Sequence, residues 1–346
     1  MVRLYSGAST RMSVGRFLQQ AAAGAEVIEP LYVAYTDRNS GTYLYSIDED
    51  TDAITGIYTP NTSFRGIAFS TDSKYVFCVN SSFTAVEIRD FDAQTGAIGS
   101  LITTTSAVTA SSGCQIKTNL AALNDVGKHQ FVFYTDNAYI YEFDGSSVTL
   151  KSTWSPGGNF RSINFSKDGA YICRGQYSGS VIYGPYSTST GTVGTTITWT
   201  DDNSQHVCFS QGSGWLINTV NIRTRIFAYG ATSGFVSSAT GGSTGCDCNV
   251  DGLLAVHQGV SLFNESTGGT SAGATLPNCP AALRVEHAVS DSNNVNSNIR
   301  YVLAGSYDGG DRIYKVDITT SPTVTVTDLG TLTGQVFQAN DLNFSR

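Results

Sequence analysis

One phrase recurs along this chain, and its recurrence limits the fold more than any other feature. Residues 64–76 read Phe-Arg-Gly-Ile-Ala-Phe-Ser-Thr-Asp-Ser-Lys-Tyr-Val, and residues 160–172 read Phe-Arg-Ser-Ile-Asn-Phe-Ser-Lys-Asp-Gly-Ala-Tyr-Ile. Each is a short apolar strand ending in Phe-Ser, then a turn, then a second strand. Asp-Ser and Asp-Gly suit the turn because these residues tolerate positive φ. A weaker copy runs from His206 through Phe209-Ser210 to Trp215, and a degenerate one runs from Cys246 to Leu254. Third strands follow at 42–48, 85–92, 138–144, 180–186, 225–230, 259–264 and 312–318, with fourth strands at 98–104, 148–154, 192–198 and 323–329.

Residues 30–346 thus hold seven units of roughly 45 residues, the period of a four-stranded propeller blade. The expected fold is all-β: a seven-bladed β-propeller over residues 30–346, preceded by an arm at 1–29. The ends predict how the ring closes. Asp341–Arg346 is a first strand with no second, and 31–36 is a second strand with no first. The C-terminal strand is therefore expected to complete the first blade, which removes two exposed edges. The third unit lacks Phe-Ser between Ser106 and Gln130; its innermost strand is assigned to 114–117, with an excursion over 118–129. The seventh carries a polar insertion, Asp291–Asn298.

The arm is the one part a plain propeller does not need. Its apolar positions Val14, Phe17, Leu18, Ala21, Ala22 and Ala25 are spaced as one stripe of a short helix over Ser13–Glu26. With Arg3, Arg11 and Arg16 beside them, Val14, Phe17 and Leu18 want a partner, which is the propeller's own flank, a second copy or another protein; another subunit is the assignment, which makes an oligomer the expectation. No apolar stretch accompanies these arginines, so no signal peptide is expected.

Composition narrows the classes. A net charge of −8 and a pI near 4.9 argue against a basic nucleic-acid surface. No run of about 18 apolar residues is present, so no membrane span is expected. The seven cysteines, an odd number scattered through strands, read as buried free thiols suited to a reducing cytosol rather than a disulfide framework.

The blade phrase at 65–77, followed by Val86–Asp92 and Thr95-Gly96, resembles that of lactonase-like and YVTN-type propellers. The Trp-Asp and Gly-His signatures of WD-repeat propellers are absent from the blades. The resemblance implies a fold; a propeller phrase is shared by enzymes, binding platforms and structural proteins.

Candidate sites are few. Arg65 and Arg161 take the same place in two blades, at the expected mouth of the axial channel, where guanidinium groups bind a carboxylate or phosphate. The plainer reading has each bridging to a neighbouring blade's carboxylate. His206, Cys208, Cys246 and Cys248 fall on adjacent innermost strands, but their spacing is not that of a zinc site, so no metal is expected. Asp48-Glu49-Asp50-Thr51-Asp52 fails as a calcium loop, since Ala53 and Thr59 stand where Gly and Glu belong; a solvated turn is expected. The histidines are far apart, and no catalytic residue or cofactor is assigned. Trp154, Trp199 and Trp215 are placed in the core.

The leading functional expectation is a non-enzymatic virion component, a bacteriophage tail or capsid-associated propeller anchored by residues 1–29 and assembled in the host cytoplasm. It rests on the arm and on analogy with tail propellers. The alternatives are a lactonase-like hydrolase, with Arg65 and Arg161 holding the acid group, and a cellular binding platform.

Overall fold

The computed structural model describes residues 30–344, apart from 38–40, 59–63, 110–114, 120–127, 159, 177–178, 201–203, 205, 211, 221–222, 241–245, 251–252, 257–258, 280–281, 290–297, 307–310, 320–322 and 333–338. The arm, the helix expected in it and the six residues assigned there, with most of the seventh-unit insertion, lie outside the described residues.

The chain winds through seven antiparallel sheets. The first uses β1 (Leu31–Asp37), β2 (Gly41–Asp48) and β3 (Ala53–Tyr58). The second is β4 (Gly66–Phe69), β5 (Tyr75–Val79), β6 (Val86–Asp92) and β7 (Ala97–Thr104). The third is β8 (Gln115–Thr118), β9 (His129–Tyr134), β10 (Ala138–Phe143) and β11 (Val148–Trp154). The fourth is β12 (Phe160–Phe165), β13 (Tyr171–Gln176), β14 (Val181–Ser187), β15 (Thr192–Val193) and β16 (Ile197–Trp199). The fifth is β17 (His206–Phe209), β18 (Trp215–Val220), β19 (Arg223–Ala228) and β20 (Ser237–Thr240). The sixth is β21 (Cys246–Val250), β22 (Leu253–Val256), β23 (Gly259–Asn264) and β24 (Gly269–Thr275). The seventh is β25 (Ala282–Val289), β26 (Ile299–Ser306), β27 (Arg312–Asp317) and β28 (Thr325–Thr331). Finally β29 (Ala339–Phe344) returns to pair with β1, Val33 opposite Phe344 and Tyr35 opposite Leu342. The ring closes as its two ends predict.

One expected strand is broken. The outer strand of the fourth blade, read as continuous over 192–198, is split into β15 and β16. Pro185 of β14 lies opposite the break: its carbonyl accepts from Gly194 N at 2.8 Å, but it has no N–H to return.

The core is divided rather than central. Seven apolar clusters fill the gaps between neighbouring blades, each built from two facing sheets. Phe69, Phe165 and Phe209, the aromatic of the recurring phrase, are buried in three of these gaps. The expected tryptophans are there too. Trp199 stacks on Phe227 at 4.3 Å, Trp154 is buried, and Trp215 is partly buried with its indole N–H on the Glu265 carbonyl at 2.7 Å.

The serine of the phrase has a different task. Ser70 Oγ accepts from Tyr75 N at 3.0 Å and donates to Asp72 Oδ1 at 2.7 Å. Ser166 does the same with Tyr171 N at 2.9 Å and Asp168 Oδ1 at 2.5 Å. These bonds satisfy polar groups buried at the end of the innermost strand, where a bare turn would leave a backbone donor unpaired.

Candidate functional site

The innermost strands all begin at one end of the ring, which forms the mouth of the axis. Arg65 directly precedes β4, and Arg161 sits at the start of β12, where a register shift between Phe160 and Ser162 bulges the strand. Both arginines therefore stand at the mouth, on the second and fourth blades, with β8 between them.

Their settings differ. Arg65 is half-buried, its guanidinium 5.6 Å from the centre of the Phe83 ring. That ring is presented by a loop with φ +59° at Phe83, held by Asn80 Oδ1 accepting from Thr84 N at 2.9 Å and Ala85 N at 3.2 Å. Arg161 is exposed.

Beyond them, side chains join innermost strands of neighbouring sheets. Gln115 Oε1 accepts from Ile163 N at 3.0 Å, and Ser162 Oγ accepts from Val207 N at 3.0 Å. Asn164 Nδ2 donates to Val207 O at 2.6 Å, and Thr118 Oγ1 donates to Phe69 O at 2.8 Å. These bonds tie the second, third, fourth and fifth blades together along β4, β8, β12 and β17.

Sequence reasoning missed Arg174. Its signal was a lone cation directly after the apolar run Tyr171-Ile172-Cys173. It is fully buried, with its guanidinium 6.0 Å from the Trp154 ring. Nη2 donates to Pro156 O at 3.1 Å and to Gly157 O at 2.6 Å. Burial pushes its pKa down to about 10, with Tyr134 acting against that shift. Arg174 thereby ties β13 to the segment that follows β11.

His206, Cys208 and Cys246 do come together, whereas Cys248 lies in the same gap further along β21. Cys208 Sγ is 3.6 Å from Cys246 Sγ, which is 3.7 Å from His206 Nδ1. Among the described residues no group of three or more His, Cys, Asp or Glu side chains forms a metal site. The acidic turn folds on itself. Asp48 Oδ1 accepts from Asp50 N at 3.0 Å and Thr51 N at 3.2 Å, and bonding by Thr51 holds its carboxyl below the usual range. Asp52 turns to the seventh blade, where it pairs with Lys315 at 2.8 Å. Among the described residues no helix is long and apolar enough to cross a membrane.

The fold defines a seven-bladed β-propeller. Over 93% of its length the chain is similar to a Bacteroides fragilis protein described as a candidate 6-phosphogluconolactonase (TM-score 0.67, 13% identity, 99% of that chain). A Bacteroides uniformis protein with the same description matches over 92% of this chain and 100% of its own (TM-score 0.64, 14% identity). Sqt1 from Chaetomium thermophilum, solved bound to the N-terminus of a ribosomal protein, matches over 89% of this chain and 88% of its own (TM-score 0.57, 10% identity). No family model matches the sequence, and no curated protein matches it. At these identities the likeness is one of fold.

Proposed function

We propose that this chain is a lactonase-like propeller that takes an anionic sugar lactone at the axial mouth. Arg161 holds the phosphate or carboxylate at the rim, and Arg65 adds positive charge from the second blade. The observation that carries the reading is the placement of Arg65 and Arg161 at one end of a ring that matches lactonase-described propellers end to end. A guanidinium fork suits a bidentate oxyanion. Water would add to the lactone carbonyl as the ring C–O bond breaks, the ring oxygen taking a proton and the product leaving as a carboxylate.

The test is hydrolysis of glucono-δ-lactone and its 6-phosphate by the full chain, measured above the spontaneous rate. The expected result is faster turnover of the phosphate. Arg161→Ala should raise KM about tenfold, the loss of about 1.4 kcal/mol of charge-assisted bonding. No turnover of either lactone would overturn the reading.

A second reading is the virion component, with residues 1–29 as its anchor. It is supported by the apolar stripe and arginines of that arm. Its test is deletion of residues 1–29 in a producing host; unchanged incorporation into particles would rule out anchoring.

A further inference from the structure

We propose that Cys208 and Cys246 are a dithiol–disulfide pair that locks the fifth blade to the sixth in response to a peroxide. The two sulfurs come from different sheets and stand 3.6 Å apart, at van der Waals contact. Innermost strands of neighbouring blades share no ladder, so a covalent bond here adds a connection that the backbone lacks. Neither sulfur is in a disulfide, and Cys246 is fully buried and Cys208 nearly so.

The setting is asymmetric. Cys246 opens β21 and His206 opens β17, so both lie at the mouth end of the ring. Cys246 Sγ faces Ile217 O at 3.5 Å, His206 O at 3.7 Å and His206 Nδ1 at 3.7 Å, and of these three groups only the imidazole nitrogen is basic enough to take the thiol proton. The resulting thiolate is the nucleophile. Cys208, by contrast, is one turn of the pleat deeper and contacts Cys246 directly. Cys246 is therefore the attacking thiol and Cys208 the resolving one.

The chemistry balances as two steps. The Cys246 thiolate attacks one oxygen of hydrogen peroxide; the O–O bond breaks, a sulfenic acid forms, and the leaving hydroxide becomes water with the proton held by His206. Cys208 then attacks the sulfenic sulfur, the S–O bond breaks, and a second water leaves. Two thiols and one peroxide give one disulfide and two waters.

The experiment uses the full chain, reduced, exposed to hydrogen peroxide, alkylated in denaturant and mapped as peptides without reductant. The expected product is one linked pair, Cys208 with Cys246, lost on adding a thiol reductant. Cys246→Ala should abolish it, Cys248→Ala should leave it unchanged, and Cys208→Ser should stop Cys246 at a sulfenic acid trapped by a cyclic 1,3-dione. His206→Asn should slow linkage about tenfold. The oxidised chain should unfold at a temperature higher by about 5 °C. Recovery of both cysteines as alkylated thiols, or linkage to Cys173 or Cys248 instead, would overturn the proposal. The mapping on the unaltered chain decides it even where a variant fails to fold.

Discussion

Ser210 Oγ donates to Glu265 Oε2 at 2.9 Å, across the gap between the fifth and sixth blades. In the second and fourth blades the same serine bonds to an aspartate two residues on, Asp72 or Asp168. The fifth blade has Gly212 at that position, and the missing carboxylate is supplied by its neighbour. Glu265 Oε1 also accepts from Gly212 N at 2.9 Å.

Glu265→Ala should therefore act as a defect of two blades at once. It removes both carboxylate bonds while leaving the Trp215 bond to the Glu265 carbonyl in place. The expected loss is about 1–2 kcal/mol of stability, read as a lower midpoint in urea with an unchanged slope. A midpoint equal to that of the unaltered chain would show that the borrowed carboxylate contributes nothing.

The turn after each Phe-Ser needs a left-handed residue. Ser73 has φ +54°, Ser213 φ +59° and Gly169 φ +66°, at equivalent positions. Gly169→Ala should cost about 1 kcal/mol, since an L side chain pays for that conformation. Thermal unfolding checks it; an unchanged or raised midpoint would contradict the strain argument.

The ring's end is tied to its start beyond the β29–β1 ladder. Asp52 of the first blade accepts from Tyr301 Oη at 2.9 Å and pairs with Lys315 at 2.8 Å. Burial, then the bond and charge of Asp52, raise the Tyr301 hydroxyl's pKa. Because the ion pair is partly exposed, an Asp52→Ala, Lys315→Ala double-mutant cycle should give a coupling of only about 0.5 kcal/mol, smaller in high salt. Zero coupling at low salt would remove the pair from the closure.

His129 and Asp72 link the second and third blades, with His129 Nε2 3.7 Å from Asp72 Oδ1. Burial lowers the His129 pKa, Asp72 opposes that shift and Lys74 adds to it. The unfolded chain therefore binds this proton first as pH falls through about 6.5, and stability is lost from there down to the folded value. Asp72 acts lower. Burial raises its carboxyl, but Ser70, His129 and Lys74 outweigh it and hold it below 3.8, so its contribution is lost only as pH falls through that lowered value. His129→Gln should flatten the upper part of the curve, measured by urea midpoints from pH 7 downward; a parallel curve would show that His129 does not titrate there.

The phrase Phe-Ser-x-Asp made the propeller legible because each part of it is local. The phenylalanine fills a gap, the serine ends a strand and the aspartate holds a turn, all within about ten residues of chain. The closure was legible for the same reason: an orphan first strand and an orphan second strand complete each other, Val33 to Phe344. The same phrase set Arg65 just before β4 and Arg161 at the start of β12. What the sequence could not determine is how side chains meet between blades. Arg174 on the Pro156 and Gly157 carbonyls, Glu265 under Ser210, and Cys208 against Cys246 join residues far apart along the chain. No periodicity carries such contacts; they arise only when the twist of each sheet and the packing of apolar gaps set neighbouring blades face to face. The sequence by itself determined the blades and their order, and the tertiary structure decided which polar groups meet between them.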